Sequence, residues 1–189
     1  MTQAPLAPEQ RYSPLAMALH WLLAVAIVGA FGVGLYMTSL PFSPARLKLY
    51  NWHKWAGVAI LTLSALRLLW RLYRKPPADL PMPAWQAQAA HVTHGALYAL
   101  FFAVPLAGWA YSSAAGFPIV WFGLLPLPDL VGPDKALAET LKQAHKFLAY
   151  GLGALVLAHV AAALKHHFID RDGLVQRMLP ALPPTAKDQ

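Results

Sequence analysis

Apolar residues run in four long blocks separated by polar, proline-bearing connections, and each block is long enough for a helix that crosses a bilayer. The first block, about residues 15–37, has no formal charge and follows Ser13-Pro14, an N-cap with proline at the first helical position. No basic n-region or small-residue cleavage site frames it, so it reads as a retained span rather than a signal peptide. The second block, about residues 50–73, has a short uncharged middle from Trp55 to Leu66. Arg67, Arg71, Arg74 and Lys75 lengthen it by snorkelling to the headgroups, and Pro76-Pro77 stops it. The third block, about residues 91–113, contains Pro105, where a kink is expected, and the fourth spans about residues 141–168. Trp21, Trp52, Trp55, Trp70, Trp85 and Trp109 fall near block ends, as interfacial aromatics do. The pattern predicts an all-α, integral membrane, up-down four-helix bundle over residues 1–179, followed by a flexible C-terminal tail, 180–189. The connection of residues 114–140 holds an apolar, proline-broken stretch from Phe117 to Leu125, expected to lie on the membrane surface or cap the bundle.

Composition agrees with that pattern. Hydrophobic residues make up 58% and charged residues 12% of the 189, against about 45–50% and about 25% in soluble domains. The absence of Cys removes disulfides, thiolate metal sites, iron–sulfur ligation and covalent haem attachment, and leaves eight His as the chemically capable residues. A net charge of +7 suits lipid headgroups or a small anion better than nucleic acid in so apolar a chain. With four spans, both termini share one side, which carries nine basic residues against six on the other. That excess predicts cytoplasmic termini.

Histidine within a membrane span is costly without a partner, so each is a candidate functional residue. Alternating helix direction puts His20, His91 and His94 toward the cytoplasmic side and His53 and His145 toward the outer side. His159 lies fourteen residues after His145, which is about 21 Å along a helix and about 40° short of four whole turns. The two therefore project from one face at two depths. His145 has only His53 as an outer partner, whereas His159 has His20, His94 or His91. Two imidazole pairs at two levels of a four-helix core suit two bis-histidine haems, whose filled axial positions leave electron transfer across the membrane as the role. A closed zinc site would need its ligands at one level. Gly29, Gly32, Gly34, Gly57, Gly151 and Gly153 are expected to let a flat macrocycle approach the backbone. His166 and His167 read as interfacial or quinone-pocket residues.

The chain resembles the bacterial cytochrome b561 family. The resemblance is carried by Leu19-His20-Trp21, by Tyr50-Asn51-Trp52-His53-Lys54 ahead of Arg67 and Arg71, and by Ala90-His91-Val92-Thr93-His94. Ala144-His145-Lys146 through His159 to Lys165-His166-His167-Phe168-Ile169-Asp170 completes it. It implies two haem b groups in the bacterial inner membrane, with axial pairs His20/His159 and His53/His145 binding the irons. His94, Arg67, Arg71, Lys165, His166 and His167 become candidates for propionate or quinone contacts, and Lys54 and Lys146 for propionate contact or anion steering. No residue is assigned a catalytic role beyond these. One member type oxidises superoxide outside and reduces ubiquinone near the inner face, which is the expected function. The alternative is a cytochrome b anchor passing electrons between a periplasmic redox protein and the quinone pool.

Overall fold

The computed structural model describes residues 11–180, so nearly all of the expected tail lies outside the described residues. Four helices follow in order: α1 Pro14–Ser39, α2 Pro44–Tyr73, α3 Ala84–Ala114 and α4 Lys135–Lys165. All four are long and apolar enough to cross a membrane. Helices α2, α3 and α4 each begin about two turns earlier than their apolar blocks. The extra turns are polar or charged, so hydropathy hides them, but α2 and α4 carry ordinary caps, while α3 starts after Pro83 without a side-chain cap. Ser43 accepts from the Arg46 amide at 3.3 Å ahead of Pro44, repeating the Ser13-Pro14 start of α1, and the Asp134 carboxylate accepts from Leu137 N at 2.9 Å.

Successive helices pack against each other, α1 on α2, α2 on α3 and α3 on α4. All four contribute to one buried cluster: Leu23 and Ile27 from α1, Ile60 from α2, Leu97 from α3 and Leu152 from α4. Leu152 stands midway between His145 and His159, so this apolar layer separates the two histidine levels. Val25, Val28, Leu69 and Leu157 are 62–73% exposed on the outside of the bundle, the surface that lipid covers in a membrane.

The two ends of the bundle differ. At the terminal end, Tyr12 N donates to Arg177 O at 3.2 Å. Arg11 Nη2 donates to the Gln176 and Leu179 carbonyls, and Trp21 Nε1 donates to Met178 O. At the other end a two-stranded antiparallel hairpin, β1 Val120–Trp121 with β2 Leu125–Pro126, sits on α2. Its turn places Phe122 (φ 51°) and Gly123 (φ 73°) in the left-handed region. For a phenylalanine that costs about 1–2 kcal/mol, offset by ring contacts with Trp121 and Trp55 at 4.9 and 5.2 Å. Trp55 Nε1 donates to Val120 O at 2.7 Å, and Lys54 Nζ to the Phe117 and Pro118 carbonyls at 3.3 Å. The apolar stretch therefore caps the bundle.

Candidate functional site: two histidine levels

A single spacing organises the site. Fourteen residues return a helix to nearly the same face about 21 Å further on, and every helix carries a significant pair at that spacing: His20 and Gly34 on α1, His53 and Arg67 on α2, His94 and Gly108 on α3, His145 and His159 on α4. The hairpin-end level thus holds Gly34, His53, Gly108 and His145. The terminal-end level holds His20, Arg67, His94 and His159.

At the hairpin-end level the His53 and His145 rings lie 6.0 Å apart between centroids, at 88°. The two glycines are the space-makers. A Cβ on Gly34 would stand 3.2 Å from His53 Cε1, and one on Gly108 would stand 3.0 Å from both Cε1 and Nδ1 of His145. His145 Nδ1 lies 2.9 Å from Val104 O, a carbonyl in the turn before Gly108. A carbonyl only accepts, so Nδ1 carries the proton and Nε2 keeps its lone pair, the state an iron ligand needs. His53 Nδ1 is buried beside the Ala30 backbone, one turn before Gly34, without a hydrogen bond of normal geometry.

Three histidines meet at the terminal-end level. His159 lies 6.2 Å from His20 and 5.4 Å from His94 between ring centroids. His91, the third partner left open by depth alone, instead faces Asp79 at 3.2 Å on the exposed surface. Arg67 fills the fourth corner. Its Nη1 donates to Ala16 O at 3.0 Å, one turn before His20. Arg71, one turn on, stacks over Tyr98 at 5.9 Å.

Beyond this level α4 passes into a π-helical turn, His166–Asp170, closed by Arg171 at φ 52°. His166 Nδ1 meets Asp172 at 2.5 Å and Asp170 at 3.2 Å, while Lys165 Nζ holds Asp170 at 2.5 Å. His167 is exposed and lies against the Phe168 ring. The two aspartates were absent from the sequence-based site; Asp170 stands at the ordinary helical i+4 spacing from His166, and Asp172, at i+6, is brought back to it past the left-handed residue Arg171. Among the hairpin-end lysines, Lys54 is engaged by the segment leading into the hairpin and Lys146 is exposed. The expected glycines divide: Gly29, Gly32, Gly57 and Gly151 have open space where a Cβ would stand, whereas a Cβ on Gly153 would stand 3.2 Å from the Phe31 ring. Gly108 was not among those expected, although its fourteen-residue distance from His94 marks it.

Histidine-only donors, one of them with its coordinating nitrogen left unprotonated, and glycines cleared beside the rings together fit b-type haem, which is bound without thiolates. Residues 11–181 match the family described as prokaryotic cytochrome b561. The chain is 36% identical to cytochrome b561 homolog 2 of Escherichia coli K12 over 90% of its length and 92% of the relative's. It is 32% identical to the probable superoxide oxidase CybB of Yersinia pestis over 91% and 97%, and 34% identical to cytochrome b561 homolog 1 of Escherichia coli K12 over 90% and 97%. The chain belongs to the prokaryotic cytochrome b561 family, transmembrane haem proteins that transfer electrons.

Proposed function

We propose that this protein carries electrons across the bacterial inner membrane through two b-type haems, from superoxide at the periplasmic face to ubiquinone at the cytoplasmic face. The observation that carries the reading is the pair of histidine levels set by the fourteen-residue register of all four helices. His53 and His145 are the axial ligands at the hairpin end, and His20 and His159 at the terminal end. Haem, when bound, supplies the one-electron chemistry. The chain's residues position and tune it. Val104 O fixes the His145 tautomer, Gly34 and Gly108 keep the rings' surroundings clear, and the Leu23, Ile27, Ile60, Leu97 and Leu152 layer excludes water between the levels. Arg67 and His94 face the terminal-end level as propionate or hydrogen-bond partners. Arg71, Lys165, His166 and His167 line the approach for a quinone. The basic excess on the terminal side supports cytoplasmic termini.

Superoxide as donor is supported by the printed name of the Yersinia relative and by the outer cations, of which Lys146 projects exposed beside the ligand His145. A second reading, docking of a periplasmic redox protein, draws on the hairpin, where Phe117, Phe122 and Leu124 are 69%, 60% and 86% exposed. Purified protein mixed with a superoxide source decides between them. Haem reduction that superoxide dismutase abolishes supports the first, and no reduction by superoxide contradicts it.

A further inference from the structure

A cavity of about 480 Å³ opens at the terminal end between the start of α1, the end of α2 and Tyr98 of α3. Five cations line it, Arg11, Arg67, Arg71, Arg74 and Lys75, and among the described residues no carboxylate does. Arg67 and Arg71, at i and i+4, share one side of α2, and Arg74 and Lys75 follow directly after its end at Tyr73, where the backbone turns extended. The deep end, Arg67 and Arg71, belongs to the terminal-end histidine level. The outer part does not. Arg74 is seven residues beyond Arg67, about 10 Å further along the chain axis, where α2 gives way to Pro76-Pro77.

Among the described residues, none of the partners of these cations is an acid. Arg11 donates through Nη2 to two backbone carbonyls and leaves its buried Nε–H without a hydrogen-bond partner. Arg74 lies over the Tyr73 ring at 5.8 Å. The N-terminus of α1, a 26-residue helix beginning at Pro14, also lines the cavity and adds its positive dipole end. Like charges gathered without a counter-ion repel, and an oxyanion with several acceptor oxygens is the ligand that relieves this while pairing with guanidinium forks.

The surroundings narrow the class. Beside the cations on α2, Leu69, Leu72 and Tyr73 are 62%, 72% and 75% exposed, and Trp70 within the cavity donates to Ser13 Oγ at 2.9 Å. Aromatic residues and cations at the end of a span mark headgroup depth. We propose that Arg11, Arg74 and Lys75 form a phosphate-ester site that holds the headgroup of an anionic phospholipid at the terminal-end face, with its acyl chains along the exposed leucines of α2.

Native mass spectrometry of the purified haem-loaded protein, titrated with phosphatidylglycerol and with phosphatidylcholine, tests this. The wild type should bind phosphatidylglycerol at least tenfold more tightly than phosphatidylcholine. Arg74→Gln with Lys75→Gln should remove that preference without changing the haem α-band, while the charge-keeping Arg74→Lys with Lys75→Arg retains it. Inorganic phosphate competes in a separate arm: displacement shows that the phosphate group alone is held, and resistance shows that the acyl chains contribute. Equal binding of the two lipids by the wild type, or an undiminished preference in the double glutamine variant, would overturn the proposal.

Discussion

Replacing Gly108 with alanine is the smallest change that reaches a proposed haem ligand from another helix. The new methyl carbon would stand 3.0 Å from Cε1 and Nδ1 of His145, closer than nonbonded carbon contacts allow, so the imidazole has to move by several tenths of an ångström. The same movement stretches its 2.9 Å bond to Val104 O. Overpacking of this size costs about 1–3 kcal/mol, to which a weakened hydrogen bond adds at most about 1 kcal/mol. If the packing cost alone falls on ligand placement, haem affinity at the hairpin-end level drops roughly 5- to 150-fold, at about tenfold for each 1.4 kcal/mol. The assay is haem transfer to excess apomyoglobin, followed by the loss of the cytochrome α-band. One of two haems should leave faster, and the other should keep its wild-type rate. Gly132→Ala, where a Cβ would meet nothing within 4 Å, is the control. Wild-type haem retention in Gly108→Ala would refute the view that this glycine clears the ligand's space.

Further predictions concern charge and the terminal-end clasp. Arg67→Gln should lower the midpoint potential of the terminal-end haem in an optical redox titration, and Arg67→Lys should restore it, because a nearby positive charge favours the reduced, less positive iron; equal shifts in the two variants would mean that charge is not the cause. Lys146→Glu should slow reduction by superoxide and weaken the dependence of the rate on ionic strength, since steering of an anion is screened by salt; stopped-flow rates at two salt concentrations check both. Arg177 is 5% exposed, donates to Ala78 O at 2.8 Å and stacks on Tyr12. Arg177→Ala should therefore cost about 2–3 kcal/mol, read as a fall in Tm of the detergent-solubilised protein, and an unchanged Tm would show that the clasp contributes nothing.

The four spans were legible because bilayer-length apolar runs leave few alternatives, and the ends of α2, α3 and α4 were not, because their first two turns are polar and resemble loop. The His53–His145 meeting followed from depth alone: only two histidines occupy that level of the helices. Depth could not choose among His20, His91 and His94, and the folded chain still brings two of these to His159. On α4 the fourteen-residue spacing joins two histidines and is conspicuous; on the other helices it joins a histidine to Gly34, Arg67 or Gly108, residues whose place in the two levels only the packed bundle reveals. The hairpin was less accessible, since Phe122 adopts a left-handed conformation that its side chain disfavours and that is supported by a ring contact with Trp55 on α2 as well as by its chain neighbour Trp121. The Asp172 contact with His166 depends on the left-handed turn at Arg171, which no local propensity announces, whereas Asp170 stands at the ordinary i+4 spacing.

The central claim is that two levels hold two haems through separate histidine pairs. A dithionite-reduced minus oxidised spectrum, with haem counted per chain by pyridine haemochrome, tests it most directly when taken for the wild type and the four alanine variants. Two haems in the wild type are expected, with the same one lost in His53→Ala and His145→Ala and the other lost in His20→Ala and His159→Ala. A single haem in the wild type, or a haem lost in His94→Ala but kept in His20→Ala, would contradict it.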